Sequence, residues 1–275
     1  MSDMKELEDN FEDILGKARC GLGFSTFEAA RGAGLNEDEV VALLDGDFSE
    51  GNASKLARFL KLDAASLVAI VRGEYQPEKQ LIDGVFAYES PFHSWGVNAY
   101  VLWDNASGEA AMIDTGTDSQ KGLDFIKDRG LELRQVFLTH TDSDHIGGLA
   151  KVQKAWPDVR VWANELEDCD DETVKLYEAG SEFAVGSLRI GTRRTWGHTR
   201  GGTTFVVDGL EKRVAFVGDA IFAGSIGKAR LSYEAALQTS EREIFSLENE
   251  VVLFSGHGPT TTVGEERKNN PFFAG

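Results

Sequence analysis

The chain has 275 residues, a hydrophobic fraction of 41% and a formal net charge of −18. That length accommodates one large domain and one small one with ordinary soluble cores, and the acidity argues against a protein whose main work is gripping nucleic acid or an anionic membrane, since both need a basic field. No stretch reaches transmembrane length, Met1-Ser2-Asp3-Met4-Lys5-Glu6 carries no signal-like apolar run, and the widely separated Cys20 and Cys169 read as free thiols in a cytoplasmic setting.

Residues 1–76 read as helical throughout, whereas 80–275 alternates strands and helices, with the boundary near Tyr75-Gln76-Pro77-Glu78. Ser25 caps a helix that ends at the Gly34 turn, a second short helix runs from Glu37 to Leu44 and stops at Gly46, and Ala53–Leu60 and Ala64–Ile70 are further amphipathic helices. This succession resembles the helix-turn-helix domain of phage repressors. The charge balance weighs against DNA binding: residues 1–80 hold nine basic against sixteen acidic side chains, a net of −7. The helix that would enter the groove opens on Asn36-Glu37-Asp38-Glu39, whose carboxylates would face phosphates. The expectation is a structural or dimerising helical module, with a homodimer formed through these helices.

Beyond it, Phe86–Tyr88, Gly96–Trp103 and Ala110–Asp114 read as strands, followed by a helix from Gln120 to Asp128 and a strand at Val136-Phe137-Leu138. A helix through Leu149 and Val152 and a strand at Val159–Trp162 follow. The acidic stretch Glu165–Tyr177 reads as a solvated surface helix. Phe183–Trp196, Thr203–Asp208 and Arg213–Val217 are predicted strands, Tyr233–Leu247 a helix and Val251–Phe254 a last strand.

The stretch Thr139-His140-Thr141-Asp142-Ser143-Asp144-His145-Ile146-Gly147-Gly148 places four candidate metal ligands within six residues just after a strand. Imidazoles and carboxylates are the donors that zinc, iron and manganese accept, and so much buried polarity needs an ion to neutralise it. His198, Asp219 and His257, each beside glycines, complete the candidate set.

This order, His140-x-Asp142-x-Asp144-His145, then His198, Asp219 and His257, resembles the metallo-β-lactamase superfamily over residues 80–275. The resemblance implies an α/β fold, the four-layer αββα sandwich, with the small all-α domain in front. It also implies two divalent metal ions. His140, Asp142 and His198 would bind the first, Asp144, His145 and His257 the second, and Asp219 would bridge them, with Asp144 and Asp219 also read as catalytic. A metal pair lowers the pKa of a bound water and polarises a carbonyl, so no protein nucleophile is needed. Asp142 stands where the family usually has a second histidine. A carboxylate there shifts preference from zinc toward iron or manganese.

Gly218-Asp219-Ala220-Ile221-Phe222 through Lys228, and Gly256-His257-Gly258-Pro259-Thr260-Thr261 through Asn270-Pro271-Phe272, look like short forms of the glyoxalase II branch, which hydrolyses glutathione thioesters. The implied partner is a small molecule, a conjugate of glutathione or another thiol, or a related ester or lactone. Lys228 is carried over as a thiol-binding residue, and Phe222, His93 and Trp95 are candidate pocket residues. Asp114, at a strand end, is a candidate to orient a metal-bound histidine. The competing enzyme class is an oxygen-using iron protein: persulfide dioxygenases of this fold hold one iron with positions matching His140, His198 and Asp219, and the diiron flavoproteins that resemble it place a carboxylate at the position of Asp142. A third class is a regulatory, DNA-binding protein with a metal-sensing domain.

Overall fold

A computed structural model describes residues 6–92 and 95–274. Five helices come first: α1 (Phe11–Gly21), α2 (Thr26–Ala33), α3 (Glu37–Leu44), α4 (Glu50–Phe59) and α5 (Ala64–Val71). Their ends obey local chemistry. Ser25 and Asn36 each accept the backbone N–H three residues on, while Glu28 and Glu39 reach back to the cap backbone, two reciprocal boxes that start α2 and α3. Gly34, at φ 68°, closes α2 in the left-handed conformation. The apolar stripes of the five helices, including Ile14, Leu15, Val40, Leu43, Leu56 and Leu67, meet in a core of their own.

The first sheet follows. It contains β1 (Val85–Phe92), β2 (Trp95–Trp103), β3 (Glu109–Ile113), then α6 (Gln120–Asp128), β4 (Glu132–Phe137), α7 (Ser143–Ile146), α8 (Leu149–Ala155), β5 (Arg160–Asn164) and β6 (Val174–Tyr177). Its six strands lie in sequence order, antiparallel from β1 to β3 and parallel from β3 to β6. The second sheet is built from β7 (Glu182–Val185), β8 (Leu188–Arg194), β9 (Thr203–Asp208), β10 (Val214–Gly218), then α9 (Tyr233–Glu243), β11 (Val252–Ser255), β12 (Thr261–Thr262) and α10 (Val263–Asn269). Its order is β12-β11-β10-β9-β8-β7, with β10 and β11 parallel across α9.

Alternation along each strand decides which layer it serves. Tyr100 and Leu102 of β2 point between the sheets, where they meet Phe137, Phe205, Val207, Phe216 and Phe254. Ala99, Val101 and Trp103 point the other way, onto Leu123 and Ile126 of α6 and Val152 of α8. On the second sheet Ala215, Val217 and Leu253 turn outward beneath Ile244, Phe245 and Val263. The result is the four-layer αββα sandwich expected from the sequence, preceded by a helical segment.

Three expectations change. Glu165–Tyr177 is not a helix: it is irregular to Thr173 and then forms β6, in which only Val174 and Tyr177 are buried. Phe183–Trp196 is a hairpin, turning at Gly186, whose φ is 55°, and not one strand. A short strand, β12, follows β11, so Val252–Ser255 is not the last. No helix among the described residues is long and apolar enough to cross a membrane.

Candidate metal centre

Every candidate ligand sits where a strand ends. His140 and the turn into α7 follow β4, His198 lies in the loop after β8, Asp219 follows β10 and His257 follows β11. Strand ends from both sheets therefore converge on one edge of the sandwich, the place where open α/β sheets present side chains from several chain segments at once.

The side chains form two groups. The ligand atoms of His140, His198 and Asp219 lie within 4.8 Å of one another, and so do those of Asp144, His145 and His257. Asp219 lies between them: Oδ1 is 3.3 Å from His145 Nε2, while Oδ2 is 3.6 Å from His198 Nε2 and 3.7 Å from His257 Nε2. His257 Nε2 also approaches Asp144 Oδ2 at 3.3 Å. Asp142 stands beside the first group, its Oδ2 3.1 Å from His198 Nε2 and 3.6 Å from His140 Nε2.

Each ring is fixed from behind. His145 Nδ1 lies 2.8 Å from Asp114 Oδ2, His198 Nδ1 2.7 Å from the Lys228 carbonyl, His257 Nδ1 2.9 Å from the Gly96 carbonyl, and His140 Nδ1 2.9 Å from Thr139 Oγ1. A carbonyl or carboxylate can only accept, so Nδ1 carries a proton at the first three rings and Nε2 is the nitrogen turned inward, able to ligate once it gives up any proton of its own. Thr139 Oγ1 donates to Asp114 Oδ2 and is thus free to accept from His140 in the same way. Asp114 holds all this from a left-handed backbone, φ 55°, a conformation that Asp tolerates at a cost on the order of 1 kcal/mol.

The site also fits metal by what it leaves unsatisfied. Among the described residues, His140 Nε2, His145 Nε2 and Asp219 Oδ1 are buried without a hydrogen-bond partner. One such atom costs about 1–3 kcal/mol in a folded interior, and three aimed into one space are accounted for by cations that they share. Gly256 keeps that space open, since a Cβ there would collide with the Asp219 carboxylate and the His145 ring.

The charges answer one another. Burial pushes the Asp219 carboxyl up, but the rings of His257 and His145 overcome it and hold Asp219 well below the usual carboxylate range. Asp142 behaves likewise: burial is outweighed by the nearby rings of His140 and His198 and by the Arg230 guanidinium, which hold it below the usual carboxylate range. Burial and the neighbouring His145 lower His140. At His145 burial is overturned by the Asp114 and Asp219 carboxylates, which hold it well above its ordinary value.

The candidate substrate residues fare differently. Phe222 is buried, with its ring edge-on to His257 at 5.5 Å between centroids. Trp95 is exposed at the start of β2, beside the Gly96 that anchors His257. Lys228 reaches the centre through its backbone carbonyl, while its side chain points to solvent. His93 lies outside the described residues.

Two residues escaped the sequence reading. Arg230 Nη2 lies 2.5 Å from Asp142 Oδ2 and 3.2 Å from His198 Nε2, an arginine at the mouth of the first group. Glu167, read as part of a solvated acidic face, is instead buried and accepts from Thr141 N, Thr141 Oγ1, Thr199 Oγ1 and Gly201 N. It braces the two ligand loops against each other. Neither has a spacing signal, because both are brought in by tertiary folding.

The sequence model of the metallo-beta-lactamase superfamily matches residues 94–257. Hydroxyacylglutathione hydrolase GloC of Haemophilus influenzae is 28% identical over 207 residues, which span 66% of this chain and 95% of that protein. The probable metallo-hydrolase YqgX of Bacillus subtilis is 30% identical over 200 residues, 65% of this chain and 92% of that one. The crystal structure of TTHA1623 in a di-iron-bound form superposes with a TM-score of 0.55 at 25% identity, covering 67% of this chain and 99% of that chain.

Proposed function

Because the chain belongs to the metallo-beta-lactamase superfamily, we propose that it is a hydrolase holding two divalent metal ions and acting on thioesters of an anionic thiol or on related esters and lactones. The observation that carries the reading is the pair of His/Asp groups meeting at Asp219, with three buried ligand atoms left without partners. His140, Asp142 and His198 would hold one ion and Asp144, His145 and His257 the other, with Asp219 placed to serve both. Bound there, such ions supply an activated water and polarise the carbonyl under attack.

The protein's own residues set up that chemistry. Asp114, Thr139 and the carbonyls of Gly96 and Lys228 keep each imidazole in the tautomer that ligates. Asp144 and Asp219 are the acidic groups of the centre: Asp219 would be spent on holding both ions, and Asp144 would be the carboxylate left to take up a proton released by the attacking water. Phe222, packed on His257, offers an apolar face to the acyl group, with Trp95 at the rim. The similarity to a glutathione thioester hydrolase supports the substrate class, and the carboxylate donors, together with the di-iron form of a similar structure, support iron or manganese over zinc.

A second reading, a mononuclear iron enzyme using oxygen, is favoured by one observation: Arg230 engages Asp142 and leaves His140, His198 and Asp219 as a three-ligand group. The complete second group weighs against it. Elemental analysis of protein purified without added metal, followed by a thioester panel assayed under argon, separates the two. The hydrolase reading expects about two ions per chain and oxygen-independent turnover. One ion with strictly oxygen-dependent turnover of a persulfide to sulfite replaces it with the second.

A further inference from the structure

His257 is backed by two separate parts of the chain. Its Nδ1 donates to the Gly96 carbonyl at 2.9 Å, and Glu8 Oε1 lies 3.7 Å from the same nitrogen. Glu8 stands just ahead of α1, outside the residues 94–257 matched by the family model. The partners of the other three rings, Asp114, Thr139 and the Lys228 carbonyl, all lie within the matched residues. At 3.7 Å the contact with Glu8 is one of charge and not a hydrogen bond. The Gly96 carbonyl takes the proton, and Glu8 adds a negative charge on the same side of the ring.

Three neighbouring anchors hold Glu8 in this place. Gly258, at φ 72°, follows His257, and a Cβ there would meet Glu8 N and Cβ at 3.3 Å, so the backbone of residue 8 rests on the loop that carries the ring. Asp9 is buried and accepts from Lys17 and from Ser225. Asn10 begins α1, its N–H donating to Asp13 Oδ2. From another side the Phe222 ring packs edge-on to His257. Only 16% of the Glu8 side chain and 10% of the His257 side chain are exposed, so water and salt screen the pair weakly.

We infer that Glu8 is a positioning residue for the second metal position, its charge behind His257 strengthening Nε2 as a ligand, so that the helical segment completes a site otherwise carried by the sandwich. The inference rests on the proposed two-ion reading in taking Asp144, His145 and His257 as the ligands of one ion. A cation in front of an imidazole draws electron density toward Nε2, and an anion behind it pushes density the same way, so the two reinforce each other. The Gly96 carbonyl by itself orients the ring. Glu8 adds the charge that a carbonyl lacks, as Asp114 does for His145.

The test loads the full chain with cobalt(II) and follows its release to a chelator by visible absorption and elemental analysis. Glu8→Gln keeps the shape of the side chain and removes its charge. It should release one of the two ions about tenfold faster, the lower end of what partners behind a ligating histidine contribute, while the other ion leaves as in the wild type. His257→Ala identifies the affected phase by abolishing it. Glu8→Asp keeps the charge and withdraws it by one methylene, so its release should fall between the wild type and Glu8→Gln. A role in packing alone reverses that order, because Gln retains the methylene that Asp loses. Equal release from all three forms, or faster release from Glu8→Asp than from Glu8→Gln, overturns the inference and leaves the two-ion hydrolase standing. A wild type that takes up one ion and leaves the second group empty removes both.

Discussion

Asp142 and Arg230 set the residue-scale question, because the same carboxylate oxygen that faces His140 and His198 also accepts from the guanidinium. An arginine pair and a metal ion compete for those lone pairs, so Arg230 weakens whatever Asp142 contributes to the first ion. Among the described residues Asp219 has no such competitor, and it faces both groups. Asp219→Ala is accordingly expected to empty both positions, whereas Arg230→Ala should slow loss of the first ion in a chelator titration followed by elemental analysis. Asp142→His should raise the zinc share of the bound metal, since it exchanges a hard oxygen for imidazole. An unchanged metal ratio in Asp142→His, with unchanged chelator kinetics in Arg230→Ala, would show that Asp142 serves only its salt bridge. That these histidines and aspartates belong to one cluster was legible in the sequence, because metal chemistry demands particular side chains at tight spacing just after a strand. Arg230 and Glu167 were not, because nothing local distinguishes an arginine that reaches across 88 residues to Asp142, or a buried glutamate within an acidic run.

Among the elements, those with strong local chemistry were readable and those set by their neighbours were not. The capping boxes of α2 and α3 and the stripe of α6 announce themselves, whereas β6 forms only because β5 offers it an edge. The element with the clearest energetic signature is α10, whose Glu266 is wholly buried and accepts from Tyr75, Thr261, Gly224 and Asn270. Burial raises its pKa to about 7 against the pull of those hydrogen bonds. A folded pKa above the unfolded value of 4.5 means that the folded chain keeps its proton longer. The contribution of Glu266 to stability is then fullest below 4.5, falls as pH rises toward about 7, and falls no further above it, for a total of roughly 3 kcal/mol. Glu266→Gln cannot ionise. Its amide can donate to the Tyr75 and Thr261 hydroxyls, while its oxygen keeps the Gly224 and Asn270 donors. Urea unfolding across this window should show the variant gaining on the wild type as pH rises, and parallel curves would mean that Glu266 is ionised throughout.

At the scale of the whole molecule, the helices of residues 1–76 are fastened to the sandwich at several separate places. Asp63 N donates to the Pro271 carbonyl, Ser66 Oγ to the Lys268 carbonyl, Tyr75 to Glu266, and Tyr233 and Phe272 pack onto the helical core. At the metal groups themselves Glu8 Oε1 lies 3.7 Å from His257 Nδ1, and next to it Asp9, buried, accepts from both Lys17 and Ser225. Lys17 in turn lies over the Phe222 ring, which packs on His257. Gly227, in the same segment as Ser225, lies so close to the Asp219 backbone that no Cβ fits between them. Fixing α1 thus fixes the segment that shapes one side of the ligand cluster. Asp9→Ala leaves the Lys17 ammonium half-buried without its carboxylate and is expected to cost about 3 kcal/mol. Its spatial pattern is the sharper expectation. Hydrogen exchange should accelerate together in α1 and in residues 220–228, which Lys17 joins through the Ile226 carbonyl, and remain as before in α6 and α8 on the far face of the first sheet. Acceleration confined to α1 would show that the helices ride on the sandwich without shaping its site, and the metal groups would then owe their geometry to the strand ends alone.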